Sequence, residues 1–282
     1  MQLEKVLKTM DRISILSLEN NRFVIGENLT SKSFVIDCDK LPEQFSIVLP
    51  YSVRADILII NIKDNNDIHF EIEDYSSLHL AMLAKGDIAN FKLSANLAKY
   101  AEIDAYLADF IANKNKSLIN INLNGEESAC AWHLASLATE KDDKSFDVSV
   151  FHNVKNTYCK LDNYGVCLGS SKLTFYGICK IENGSSGSKA HQNAKIMVFD
   201  DECKGIAKPI LKIDENDIEA SHAATVGKVS DEHIFYLTSR GLNLEEAKML
   251  ITLGYLKPIL KGFDVSIQGE IDSLIERRLS NV

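Results

Sequence analysis

No stretch of this chain approaches the roughly eighteen consecutive apolar residues that a membrane-spanning helix needs. The first twenty residues also lack the unbroken apolar core of a signal peptide: Leu3, Val6, Leu7, Met10 and Ile13 fall at helical spacing with Glu4 and Asp11 between them. A cytoplasmic protein is expected. Positive charge is in deficit, with 31 Lys and Arg against 40 Asp and Glu and a net charge of -9, which opposes general attraction to nucleic acid or anionic lipid. Neither nucleic acid nor membrane is an expected partner. Closely paired cysteines are missing too: Cys38, Cys130, Cys159, Cys167, Cys179 and Cys203 form no CxxC pair, so no self-contained zinc or cluster motif is present. Each stands among apolar or β-favouring neighbours and reads as a reduced, small buried side chain. A nucleotide site is excluded as well. Gly165 and Gly169 have no Walker lysine, and the segment from Gly184 to Lys189 lacks the spaced glycines of a phosphate-binding loop.

What is present is enough apolar material for a continuous core without disulfides: 45% of the 282 residues are hydrophobic and 25% charged, as in ordinary globular chains. From about residue 34 to 220 short stretches alternate apolar and polar, as in Ile68-His69-Phe70-Glu71-Ile72 and Ile119-Asn120-Ile121-Asn122-Leu123. Successive side chains on a strand point to opposite faces, so each stretch can bury one set and wet the other. Turn signals separate them, among them Asp64-Asn65-Asn66-Asp67, Lys85-Gly86-Asp87, Asn124-Gly125 and Asn183-Gly184. This rhythm fits a sandwich or barrel, and equally a solenoid with about twenty residues per coil. Asn163 and Asn183, like Cys159 and Cys179, are twenty apart and would stack on successive coils of such a solenoid.

The composition changes after Gly227. Ser230 suits the N-cap of a helix that Gly241 stops. Asn243 with Glu246 three residues on resembles a capping box, ahead of Leu244, Ala247, Leu250, Ile251 and Leu253 at helical spacing. A last helix is expected from about 265 to 279, with Ile267, Ile271, Leu274 and Ile275 on one side. The chain therefore divides into a short N-terminal helical segment (1–30), a strand-rich core (31–229) and a C-terminal helical subdomain (230–282).

Four segments stand in an informative order: Lys189-Ala190-His191-Gln192-Asn193-Ala194, Pro209-Ile210-Leu211-Lys212-Ile213, Ser221-His222-Ala223-Ala224-Thr225-Val226-Gly227, and Ile234-Phe235-Tyr236-Leu237-Thr238-Ser239-Arg240-Gly241. In sequence and spacing they resemble the SufB/SufD family of iron-sulfur cluster assembly scaffolds, over roughly residues 145–256. The resemblance implies a right-handed parallel β-helix with a small C-terminal helical cap and, in this chain, a shortened N-terminal region. It is closer to SufD than to SufB, because Leu211-Lys212-Ile213-Asp214 lacks the cysteine that SufB-type members place there. His222 matches the histidine of the SufD-type Ser-His-Gly-Ala-Thr-Val-Gly segment, which implies an iron or cluster-assembly ligand at the contact with SufB. Ala220 stands where SufD-like members often have cysteine, and Ala223 replaces the usual glycine.

By the same resemblance the chain is a non-catalytic scaffold subunit of the SUF system, and not an enzyme. It would hold a transient iron-sulfur cluster or iron at a subunit interface, with none bound stably on its own. Its implied partners are a SufC-type ABC ATPase, docked on the C-terminal helices, and a SufB-type paralogue or a second copy of itself. Phe235, Tyr236, Leu256 and Phe263 are the candidate partner-binding residues.

Two rival functions remain. A β-solenoid enzyme acting on polysaccharide would gather carboxylates in an outer groove, with Asp142, Asp143 and Asp147 as the nearest candidates. A docking-only relative would keep the fold and the ATPase contact without touching iron, as the absence of cysteine at position 220 allows. The competing role for His222 is a hydrogen-bonded histidine where strands meet the helical cap. His69, His79, His133, His152 and His191 are assigned to packing and hydrogen bonding, with no chemistry.

Overall fold

The computed structural model describes residues 11–13, 21–26, 33–84, 90–112 and 114–280. Seventeen strands follow one another: β1 (Asp11–Ile13), β2 (Arg22–Val24), β3 (Ser33–Asp37), β4 (Gln44–Leu49), β5 (Arg54–Ile60), β6 (Asn66–Ile72), β7 (Ser77–Leu83), β8 (Asn90–Leu97), β9 (Glu102–Asp109), β10 (Lys114–Leu123), β11 (Ala129–Ala138), β12 (Asp143–His152), β13 (Tyr158–Cys167), β14 (Lys172–Ile181), β15 (Ser188–Val198), β16 (Lys204–Ile213) and β17 (Ile218–Lys228). Three helices end the chain: α1 (Asp231–Ser239), α2 (Leu244–Leu260) and α3 (Val265–Leu279).

Odd-numbered strands form one sheet, β1 through β17, and even-numbered strands the other, β2 through β16. Strands of each sheet run parallel to their neighbours, so the chain winds from one wall to the other and back as a β-solenoid. That parallel pairing excludes the sandwich and the antiparallel barrel. The alternation read in the sequence decides which side chains enter the lumen: β10 buries Asn115, Ser117, Ile119, Ile121 and Leu123 and leaves the residues between them outside. Trp132, Phe70, Phe91, Phe146 and Phe175 fill the interior, fully buried.

The coil is longer than the expected twenty residues, and it grows along the chain. Val53 donates its N–H to Ser76 Oγ 23 residues on, and Thr157 to Ser188 Oγ 31 residues on. Each coil needs two strands and two corners, and strands of seven to ten residues leave no room for that in twenty. Cys159 therefore stacks on Cys130 and Ala190. Cys179, on the opposite wall, meets it across the lumen, sulfur to sulfur at 3.3 Å.

The N-terminal expectation needs correction. Residues 11–13 and 22–24 are strands paired in parallel with β3 and β4, so the solenoid's own ladders extend into the segment read as helical. The remainder of 1–30 lies outside the described residues, as does the turn expected at Lys85-Gly86-Asp87.

The three helices form where expected, except that α2 continues through Gly254 and Pro258, which read as interruptions, to Leu260. Ser230 caps α1 through Glu232 N–H, and Asn243 and Glu246 complete a reciprocal capping box on α2. α2 and α3 lie on the outer face of the odd-numbered sheet, where a second apolar cluster joins Leu58, Leu83 and Leu137 of the strands to Leu256, Ile259 and Ile271 of the helices. Coverage on both faces explains the apolar run Ile57-Leu58-Ile59-Ile60, which a sheet wet on one side would not need. Polar clamps fix the cap: Arg278 reaches Asp142 at 2.5 Å, and His79 Nε2 bonds the Gly262 carbonyl at 2.9 Å. Gly262 lies so close to the Tyr106 ring that a Cβ there would overlap it.

Candidate functional site

The solenoid has one end at β16 and β17, the last strands of their sheets, each with a single ladder partner. Among the described residues nothing stacks on this coil as β17 stacks on β15. Its burial pattern shows the consequence: from Ser221 to Lys228 every residue of β17 is exposed. The segment that carries the family resemblance is thus the open end of the fold.

His222 lies in β17 in register with Gln192, whose side chain is buried and donates to the Ile210 carbonyl at 2.9 Å. Exposed and without a protein hydrogen-bond partner among the described residues, His222 is not the bonded junction histidine of the competing reading. It lines a cavity of about 500 Å³ between the odd-numbered sheet and the C-terminal end of α2, together with His133, Lys160, Asp162, His191 and Lys261.

From His133 and Asp162 in that lining, a chain of alternating carboxylates and imidazoles that the sequence reading did not assemble runs back along the odd-numbered sheet to Asp104 and His79. His79 lies 3.8 Å from Asp104, Asp104 lies 3.4 Å from His133, and His133 lies 3.5 Å from Asp162, which Lys160 approaches to 2.8 Å. Tyr106 stacks on the His133 ring at 4.4 Å and donates its hydroxyl to Asp104. Burial pulls the Asp104 carboxyl up, but hydrogen bonds from His133, His79 and Tyr106 outweigh it and hold the group well below the usual carboxylate range. His79 is raised, chiefly by its bond to Asp104 against the opposing effect of burial. Successive members of this chain stand 25 to 29 residues apart in sequence, a separation that local patterning does not reveal.

Metal-binding capacity is narrow. Among the described residues no group of three His, Cys, Asp or Glu side chains is placed to hold an ion. Cys38, Cys130, Cys159, Cys167 and Cys179 are buried, and Cys203 is half-buried. Burial pushes the Cys38 and Cys167 thiols up to about 12 and raises Cys130 further. Such thiols stay protonated, and iron needs thiolate. On the cavity rim the exposed imidazole is His222, with His191 beside it in the lining.

The helix candidates separate into two groups. Phe235 and Tyr236 are 73% and 55% exposed on α1. Leu256 and Phe263 are not available to a partner: they are 0% and 2% exposed, packed under the cap, with Phe263 edge-on to Tyr106 at 6.4 Å. Their apolar character reflects the second core. Exposed Leu244, Leu250 and Val265 were missed, although Leu244 and Leu250 are visible in the α2 pattern. The acidic trio does not gather into a groove: Arg278 holds Asp142, Lys172 meets Asp143 at 3.4 Å and Lys116 meets Asp147 at 3.8 Å.

Comparison with known proteins gives a consistent picture. The family model described as "SUF system FeS cluster assembly, SufBD core domain" matches residues 61–255. The chain is similar to the iron-sulfur cluster assembly protein SufD of Bacillus subtilis, 35% identical over 159 residues, covering 56% of this chain and 36% of that protein. It is 27% identical over 157 residues to an iron-sulfur cluster assembly SufBD family protein of Mycobacterium tuberculosis, covering 56% of this chain and 19% of that one. A Synechocystis SufBD family protein is 23% identical over 157 residues, covering 56% and 33%. The chain thus spans about a third or less of the length of these relatives. Among the described residues no helix is long and apolar enough to cross a membrane.

Proposed function

The chain belongs to the SufBD core family of SUF-type iron-sulfur cluster assembly proteins, and from that premise we propose that it is a non-catalytic, SufD-like scaffold subunit whose open last coil receives a second subunit. The observation that carries this reading is the full exposure of β17 from Ser221 to Lys228, with an unpartnered imidazole at His222. An exposed parallel strand offers a row of free N–H and C=O groups, and another strand can satisfy them by extending the sheet. A SufB-type paralogue or a second copy of the chain fits that edge. The nascent cluster is cargo here. His222 supplies one nitrogen ligand, and the partner supplies the soft ligands that this chain keeps buried.

The SufC-type ATPase belongs on the helices. Phe235 and Tyr236 stay exposed after the cap has packed, and Arg240 stacks over Tyr236 at 4.8 Å, which holds the ring in place at the surface. Large aromatic side chains left outside in this way are characteristic anchors of protein interfaces.

Ala220 keeps a second reading in view, in which the chain docks its partners without contributing to cluster chemistry. Anaerobic purification from native cells tests both. The scaffold reading expects an ABC-type ATPase and a SufBD paralogue, or a dimer of the chain, in the complex. It also expects that His222→Ala lowers iron-sulfur enzyme activity in cells with the complex intact. Unchanged activity with intact binding selects docking alone, and loss of both partners removes the proposal.

A further inference from the structure

The outer face of the even-numbered sheet changes character at its last two strands. Outward positions of β16 read Lys204, Ile206, Lys208, Ile210 and Lys212, while inward Ala207 and Leu211 pack on the lumen core. On β14 the outward positions include Lys172, Tyr176, Ile178 and Lys180. No acidic residue occupies an outward position of either strand, in a chain whose net charge is -9.

The register sharpens the point. Lys172 stands beside Lys204 and Lys180 beside Lys212, two like-charge pairs directly opposite each other on neighbouring strands. Such pairs destabilise a sheet. Asp143 and Glu182 answer the β14 lysines, at 3.4 and 2.5 Å. For Lys204, Lys208 and Lys212 no carboxylate lies within ion-pair distance among the described residues, and Lys208 instead sits over the Tyr176 ring at 5.3 Å. Ile210 remains 37% exposed between them. Internal packing does not account for three uncompensated lysines interleaved with isoleucines.

We propose that this face binds an acidic segment of a partner protein in extended conformation, with carboxylates on the lysines and apolar side chains over Ile206 and Ile210. Along an extended strand every second side chain faces the same way, at about 6.6 Å intervals. An incoming segment with acidic and apolar residues alternating at its own inward positions therefore matches the Lys-Ile-Lys-Ile-Lys row step for step. A nucleic acid fits less well, because its phosphates are continuous and the isoleucines would face charge. The surface is the face of β16, not its open edge, so it stays accessible when a second subunit extends the sheet, and it does not depend on cluster chemistry.

The test uses the full chain and a fluorescein-labelled peptide, Glu-Ser-Leu-Ser-Glu-Ser-Leu-Ser-Glu, read by anisotropy. Saturable binding is expected, weakened at least tenfold by the triple variant Lys204→Glu, Lys208→Glu, Lys212→Glu and severalfold by Ile210→Ser. Should the charge-reversed chain fail to fold by circular dichroism, the milder Lys204→Gln, Lys208→Gln pair is expected to weaken binding in the same direction. Absence of peptide binding overturns the proposal, as does binding indifferent to these substitutions or equal binding of a peptide with Ser in place of Leu. Tighter, lysine-dependent binding of oligothymidylate or of phosphatidylserine vesicles would also overturn it, in favour of that ligand.

Discussion

The coil built from β14 and β15 and the coil built from β16 and β17 have the same alternation and opposite surroundings. Phe175, Cys179, Ala190 and Ile196 are buried, whereas Ala224 and Val226, in register with Ala194 and Ile196, are exposed. In a solenoid a coil is dry only when another lies on each side of it, so an identical pattern yields core in one place and surface in the next. The last coil is built like the others and left uncovered, because the C-terminal helices cap the flank of the odd-numbered sheet instead of the end of the stack.

Substitutions should measure that contrast. In the closed coil Phe175→Ala should cost about 3–5 kcal/mol in urea unfolding, through lost burial and the cavity left behind. In the open coil Val226→Ala should stay within about 0.5 kcal/mol for the isolated chain and cost more once a second subunit covers the end. Equal costs at both sites in the isolated chain would mean that the end is already covered.

Lys144 probes the closed region from its polar side. It is fully buried, bonded to Asp109 at 2.8 Å and to the Leu137 carbonyl at 2.9 Å. Lys144→Ala should cost about 3–5 kcal/mol because it strands a buried carboxylate, and the double variant Lys144→Met, Asp109→Leu should recover most of that.

Two histidines should titrate in opposite senses. Burial lowers His152 to about 4, so its native state resists protonation, and stability should fall with acid between about 6.5 and 4, by about 3 kcal/mol over the window. His79 is raised by Asp104 and the Gly262 carbonyl, so its contribution is complete below about 6.5 and is lost as pH rises through the higher folded value. Protection of α2 and α3 from hydrogen exchange, corrected for the intrinsic base-catalysed rate, should therefore fall as pH rises above about 6.5, and His79→Gln should remove that fall. The smallest expected effect is at the helix start: Asn243→Ala should cost about 1 kcal/mol, read by the same urea titration.

Much of the architecture was readable in advance for a physical reason. Alternation decides which face of a strand is buried, and Ser230, Asn243 and Glu246 announce helix starts through short-range hydrogen bonds. Burial of Cys38, Cys130 and Cys179 followed from apolar neighbours. The site was less legible. His79 and His133 look like ordinary strand residues until separations of 25 to 29 residues, set by the coils, bring Asp104 and Asp162 beside them. Leu256 and Phe263 read as partner candidates although large apolar residues more often go inside, because a helix pattern shows an apolar stripe and not what covers it.

The amino-acid sequence by itself determined the strands, their inward faces, the helical cap and the segment around His222, since all of these depend on residues within a few positions of one another. Only the tertiary structure decided the length of the coil, the meeting of Cys159 with Cys179, the carboxylate-imidazole chain and the exposure of β17. Those depend on which strands become neighbours, and parallel pairing joins residues too far apart for any local period to record.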